Sequence, residues 1–247
     1  MAAAHHLTAR QLREARRAGT REVRKPLGRC EAIWEHGDME ITTEEQLRAI
    51  VGHPIEMVVK KVKSALEPVH VEWLAASPML FVATSDEQGR MDVSPKGDPP
   101  GKVVHVLDEH TIVIPERPGN KRVDGYLNIL RNPHVGTIAI IPGRGDTLRV
   151  NGTARIVDGA DDDSGGTYFD ELAVKGRRPI LALEITVEEV FFHCAKAFLR
   201  SDLWRPETWH PDDLPSTAQM TKKLMPELDE VALQERYAES NYRKLLY

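Results

Sequence analysis

The chain has only two cysteines, Cys30 and Cys194, in 247 residues. That excludes a small secreted scaffold held together by disulfides, and it offers no repeated Cys-x-x-Cys spacing for a structural zinc. No apolar run approaches the roughly 20 residues that a membrane-spanning helix needs. The first residues include alanines but no hydrophobic stretch ahead of a cleavage site, so a cytoplasmic location is the expectation. Excess positive charge is missing too: the formal net charge is −5, which gives no global attraction to nucleic acid. Locally, Arg10, Arg13, Arg16, Arg17, Arg21, Arg24, Lys25 and Arg29 stand against only Glu14 and Glu22. This run lacks the interleaved aromatics that stack on bases. It reads as a solvated helix face followed by an arm lying on the body or on a second subunit, with a nucleic-acid partner as the less favoured alternative.

What is present fits a globular protein. Hydrophobic residues make up 41% of the chain and charged residues 29%, ordinary values for a soluble domain. The length suits one large domain or a core with extensions, and a core of that size stabilises itself by apolar burial. Ten histidines are scattered without metal-ligand spacing, so no metal is expected.

Residues 8–18 have helical composition and Gly19 is a stop; residues 20–40 carry no regular pattern. Thr42, with Glu45 three residues on, has capping-box spacing and predicts a short helix to about Val51. Another helix is expected after Pro54, and a third over 68–76, ending at Ser77-Pro78. From residue 79 the pattern changes to short apolar runs separated by turns. Strands are expected at 79–84, 91–94, 102–107, 111–115, 134–141, 147–157, 180–187 and 189–193. One helix interrupts them, over 119–131, with Val123, Leu127 and Leu130 on a shared face and Asn132-Pro133 as its stop. Asp158 to Gly166 is a polar loop. The tail from Ala195 is helical and loop-rich, with a strong final helix from about Asp229. Hairpin-linked strands without regular crossover helices argue against a doubly wound sheet and for a mainly β architecture, a small antiparallel barrel.

Three segments concentrate phosphate-competent residues. Val93-Ser94-Pro95-Lys96-Gly97-Asp98 ends a strand with a hydroxyl, a cation and free amides, although a lysine after a strand is ordinarily a solvated turn residue. In Gly119-Asn120-Lys121-Arg122 the glycine opens a helix whose first turn holds two cations. Unpaired amides and the macrodipole favour an anion there, so a bound phosphate would reconcile the cations with that end; the alternative is that both simply face solvent. In Leu148-Arg149-Val150-Asn151-Gly152, Arg149 and Asn151 alternate with apolar neighbours and share one face of a strand. His193 and Cys194 are adjacent but have no spaced partner pair. Cys194 reads as a buried small thiol at a strand end rather than a redox group. Trp204 and Trp209 are core or interface residues, with a stacking role open for Trp204.

The order of these segments, together with Ile114-Pro115-Glu116-Arg117-Pro118, Asn132-Pro133-His134-Val135-Gly136, Cys194-Ala195-Lys196-Ala197 and Arg200-Ser201-Asp202-Leu203-Trp204, resembles the pyridoxamine 5′-phosphate oxidase-like family of flavin-binding proteins. The resemblance implies an antiparallel split β-barrel that binds flavin mononucleotide between the subunits of a homodimer. It implies that Val93, Ser94, Pro95 and Lys96 run beside the flavin ring and that Asn120, Lys121 and Arg122 hold its phosphate. Arg149 would reach the cofactor from a barrel strand. Lys196, Arg200, Ser201 and Trp204 would complete the pocket. The corresponding division is an N-terminal extension over 1–64, a flavin-binding barrel over 65–200 and a helical tail over 201–247. The sequence departs from authentic pyridoxamine phosphate oxidases in two places. Asn120-Lys121-Arg122 stands where they carry Ser-Arg-Lys, and their C-terminal Arg-x-His pattern is absent, which speaks against vitamin B6 oxidation.

The expected activity is a flavin oxidoreductase acting on a small molecule, the cofactor carrying the redox chemistry. Arg117, Arg200 and Trp204 are candidates for orienting that substrate, and no side chain stands out as a catalytic acid or base. That gap keeps open a non-enzymatic flavin-binding or sensing module. The same barrel could hold deazaflavin, or haem with His193 or His210 as its ligand.

Overall fold

A computed structural model describes residues 40–159 and 168–247. The helix expected at 8–18, the basic arm with Cys30, the irregular stretch up to residue 39 and most of the 158–166 loop lie outside the described residues. The chain divides between His53 and Pro54 into two units.

In the first unit, α1 (Glu44–Val51) is capped by Thr43, not by the expected Thr42. Thr43 Oγ1 accepts from the Gln46 amide at 3.2 Å, and Gln46 Oε1 accepts from the amides of Thr42 and Thr43 at 2.9 and 3.3 Å. Glutamine serves the capping box as well as glutamate does, which moves the helix start by one residue.

The second unit opens with α2 (Glu56–Lys60) and α3 (Pro68–Ala76), the latter with the expected bounds. Seven antiparallel strands follow: β1 (Met79–Ser85), β2 (Met91–Gly97), β3 (His105–Asp108), β4 (Thr111–Glu116), β5 (His134–Ile140), β6 (Thr147–Asp158) and β7 (Leu181–His193). Their order in the single sheet is β2-β1-β5-β6-β7-β4-β3. Leu80 and Val82 of β1, Ile112 and Ile114 of β4, Leu148 and Val150 of β6, and Leu183 and Ile185 of β7 share one buried cluster. Since β1 and β4 are not neighbours, the sheet coils around that core, and its two edges, β2 and β3, stay unpaired. This is an open, or split, antiparallel barrel.

Four strand and helix expectations are corrected. The runs 180–187 and 189–193 are one strand with a bulge: Asn151 pairs with Glu189 and Gly152 with Val187, leaving Glu188 without a partner. A Cβ on Gly152 would lie 1.9 Å from the Thr186 main-chain oxygen, so only glycine fits at this crossing. β3 begins at His105 rather than at residue 102, because Val103 and Val104 are buried as loop residues rather than as ladder residues. β2 continues three residues further than expected, to Gly97.

The inserted helix, α4 (Asp124–Ile129), is much shorter than the expected 119–131. Lys121 at φ 63° and Val123 at φ 50° occupy the left-handed region, so the chain cannot be helical before Asp124. The later start rotates the helix. Tyr126, Asn128 and Ile129 are buried, while Val123, Leu127 and Leu130 face solvent at 40, 45 and 72% exposure.

The remaining helices are α5 (Tyr168–Glu171), α6 (Lys196–Ser201), α7 (Thr217–Leu224), α8 (Glu230–Tyr237) and α9 (Glu239–Tyr242). Asp229 caps α8 through the Ala232 amide at 2.8 Å, and the expected final helix breaks at extended Ala238. Among the described residues no helix is long and apolar enough to cross a membrane.

Candidate functional site

The split is where polar side chains gather. Lys96 Nζ on β2 pairs with Glu116 Oε2 at the end of β4. Tyr126 of α4 donates its hydroxyl to the same oxygen at 2.7 Å, and the ammonium lies 5.0 Å from the Tyr126 ring centroid. Burial first, then the charge of Glu116 and its hydrogen bond, push the Tyr126 phenol far above its ordinary range, so it remains a donor. Just beyond, Arg117 Nε binds Asp98 Oδ2 at 2.7 Å, and Arg117 Nη2 donates to the Leu172 carbonyl at 2.7 Å. Lys96 is therefore a largely buried, paired residue and not a solvated turn lysine, because β2 carries it past the expected strand end.

Next to this pair lies a cavity of about 410 Å³ whose walls include Val93, Ser94, Pro95, Lys96, Asn120 and Arg122. These six are the predicted site residues that the fold brings together. The volume falls within the range of small-molecule pockets, on the order of 300–1,000 Å³. Because β2 is an edge strand, its backbone groups on the side away from β1 have no strand partner.

Asn120 Oδ1 accepts from the Arg122 amide at 3.0 Å, and Arg122 Nε binds Asp124 Oδ2 at 2.7 Å. The helix-start argument for Asn120, Lys121 and Arg122 is not upheld: they precede α4 in a strained loop and are not in its first turn. A β-branched residue held left-handed, as Val123 is, costs on the order of 1–3 kcal/mol and persists only where its surroundings demand it. Lys121 is exposed and does not line the cavity.

Asp92, Glu116 and Tyr126 line this cavity and were missed as candidates; Asn128, outside its wall, is bonded to Asp92. Asn128 Nδ2 donates to Thr84 Oγ1 at 3.1 Å and to Asp92 Oδ2 at 2.8 Å. The available signal was the strand period, which puts Asp92, Ser94 and Lys96 on one face of β2.

Five predicted residues lie elsewhere in the same subunit. Arg149 faces outward, its guanidinium 5.4 Å from the Phe191 ring centroid. Strand register aligns it in one row with Ile138, Phe81 and Pro95. Asn151 shares that outward face, as the alternation predicts. Lys196, Arg200 and Ser201 are exposed on α6. Trp204 donates Nε1 to the Arg144 carbonyl at 2.6 Å and stacks on Phe198, with ring centroids 5.7 Å apart.

Cys194 is exposed, not buried, since it follows the last residue of β7. A hydrogen bond from the Lys196 amide is the main effect holding its thiol below the ordinary range. Half-buried His193 is held low chiefly by burial, then by Arg149 and Lys61. Trp209 is half exposed and donates Nε1 to the Leu203 carbonyl at 2.9 Å. Among the described residues no group of three or more His, Cys, Asp or Glu side chains is placed to hold a metal.

Residues 66–194, just over half of the chain, match the sequence profile of pyridoxamine 5′-phosphate oxidase. No functionally curated protein matches. A putative pyridoxamine 5′-phosphate oxidase from Lactobacillus delbrueckii is 27% identical over 52% of this chain and 95% of its own, with a TM-score of 0.40. HupZ of Group A Streptococcus is 23% identical over 51% of this chain and 93% of its own, at 0.38. An FMN-binding protein from Syntrophomonas wolfei is 14% identical over 50% and 88%, at 0.35.

Proposed function

Because the chain belongs to the pyridoxamine 5′-phosphate oxidase family, we propose that it is a flavin mononucleotide-dependent oxidoreductase that works as a homodimer on a small-molecule substrate. The observation that carries this reading is the cavity that joins the free edge of β2 to the Asn120–Arg122 loop. A planar heteroaromatic ring suits a strand edge with unpaired N–H and C=O groups, and a phosphate suits Arg122 with Lys121 nearby. When bound, the flavin supplies the electron-transfer chemistry.

The protein's own part is positional. Lys96 is fixed by Glu116 and Tyr126, so its ammonium presents a set position to a ring edge lying along β2. Arg122 exchanges Asp124 for phosphate, with which a guanidinium makes charge-assisted, bidentate hydrogen bonds. Arg149, Lys196, Arg200, Ser201 and Trp204 serve a pocket completed by the second copy. Phe81, Met91 and Val93, exposed at 37, 64 and 64%, share the outward face with Arg149. An apolar patch of this kind supports pairing of two copies there. Residues 65–200 form the flavin-binding barrel in this reading, and the tail from 201 completes it.

One observation favours a non-enzymatic flavin-binding or sensing role. Each ionisable side chain of the cavity is tied to another: Lys96 to Glu116, Arg122 to Asp124, and Asp92 to Asn128. None is a free acid or base. Purification without added cofactor, a visible spectrum and mass identification of the released chromophore test the cofactor. Bleaching of the bound flavin by NADH or NADPH, with recovery in air, separates the two roles. A colourless protein that takes up no flavin mononucleotide overturns both.

A further inference from the structure

On the far side of the Lys96–Glu116 pair lies a second cavity of about 270 Å³, which shares Pro95, Lys96, Glu116 and Gly119 with the first. Its remaining wall includes Asp98, Arg117 and Tyr247. The Tyr247 hydroxyl donates to Asp98 Oδ1 at 2.9 Å. The Arg117 guanidinium lies 5.7 Å from the Tyr247 ring centroid and the Lys175 ammonium 5.4 Å from it. Arg177 Nη1 donates to the main-chain oxygen of Tyr247 at 2.6 Å. Phenol, ring and carbonyl oxygen thus each have a partner of matching chemistry.

The polar frame of the cradle does not need the ring: Asp98 is held by Arg117, which is fixed in turn by the Leu172 carbonyl. Lys175 sits in a tight turn with Gly176, both at positive φ, 51° and 74°, between the bridged residues Val174 and Arg177. That is a strained conformation for a lysine. By contrast, the segment leading to Tyr247 is largely exposed: Tyr242, Leu245 and Leu246 are 46, 69 and 45% exposed. The Tyr247 ring and its main-chain oxygen seat it, and open volume remains beside that ring.

We propose that this cradle is a binding site for small 4-hydroxyphenyl carboxylates, with Tyr247 as its internal competitor. Asp98 accepts the phenol hydroxyl, Arg117 and Lys175 attract the ring face, and Arg177 takes the carboxylate where it now holds the Tyr247 oxygen. The inference does not depend on which cofactor fills the neighbouring cavity.

Calorimetric titration of the full chain with 4-hydroxyphenylacetate and with phenylacetate tests it, and no flavin is needed. Tyr247→Ala is expected to bind 4-hydroxyphenylacetate about tenfold more tightly than the unaltered chain, the factor for a plug seated nine-tenths of the time. Tyr247→Phe, which keeps the ring and loses the Asp98 bond, falls between the two. Phenylacetate should bind Tyr247→Ala at least about tenfold more weakly than its hydroxylated analogue, because it leaves a buried acceptor unpaired. Should Tyr247→Ala not fold, the tightening in Tyr247→Phe decides. Equal affinity of variant and unaltered chain would make Tyr247 a packing anchor; that result, equal affinity for the two acids, or no binding by either would each overturn the proposal.

Discussion

Lys96 and Glu116 form an ion pair although four strands, β1, β5, β6 and β7, lie between β2 and β4 in the sheet. Only a sheet coiled almost into a cylinder brings them together. The pair spans the split, and Asp98 with Arg117 spans it again close by. The width of the opening is therefore set by side chains rather than by a backbone ladder, and both cavities share the Lys96–Glu116 wall.

Removing both partners of this bridge should destabilise the fold by less than the two single removals added together. Glu116→Ala leaves the Lys96 ammonium and the Tyr126 hydroxyl without their acceptor, and breaking a buried pair in this way costs on the order of 3–5 kcal/mol, less where water reaches it. The double change Lys96→Met, Glu116→Leu should cost clearly less than the two single changes summed. Urea unfolding of the four proteins measures this. Additive losses would mean that the pair is not coupled.

Gly152→Ala should be among the most damaging single substitutions in the barrel. Its added carbon meets the Thr186 oxygen at 1.9 Å, so β6 and β7 must part at the bulge. A loss above about 2 kcal/mol is expected for such overpacking. Gly143→Ala is the control: nothing lies within 4 Å of its added carbon, but φ is 82°, so it should lose only about 1 kcal/mol through backbone strain. Equal melting temperatures for the two variants would contradict this.

Flavin retention should respond in opposite directions to two neighbouring changes. Arg122→Ala removes a charge-assisted phosphate contact, typically worth ~1.5–3 kcal/mol. Asp124→Asn removes the carboxylate that now holds Arg122 at 2.7 Å, and should tighten binding. Equilibrium dialysis against flavin mononucleotide reads both. Unchanged retention in Arg122→Ala would remove that residue from the site.

Stability should fall on mild acidification. Burial holds the His70 imidazole below its ordinary value of 6.5, with Glu67 opposing and Lys63 adding to the effect. Its Nδ1 accepts the Glu67 amide at 3.0 Å, so the fold uses the neutral ring. The unfolded chain then takes up a proton where the folded chain does not. Stability is complete above about pH 6.5 and declines as pH drops through that value towards the folded one. His193 is lowered as well and contributes in the same window. His70→Gln should flatten part of the melting-temperature profile between about pH 8 and pH 5. An unaltered slope would exclude His70 as a source.

The sequence by itself determined most of the strands, the hairpin logic and the edges of α3, because period-2 alternation and Pro/Gly punctuation are local signals. The residue pattern ended one strand at Ser94; it was the family resemblance that carried it through Val93, Ser94, Pro95 and Lys96 and implied Asn120 and Arg122 beside them. Tertiary structure alone decided the rest. No local rule puts Lys96 beside Glu116, since their meeting depends on how far the whole sheet coils. The left-handed backbone at Lys121 and Val123 cannot be read from residues that rarely adopt it, and it turned a thirteen-residue helical pattern into six residues. The bulge at Gly152 reads locally as a break between strands because its cause is an oxygen on the neighbouring strand. Tyr247 met Asp98 only because the fold brought them together across 149 residues of sequence.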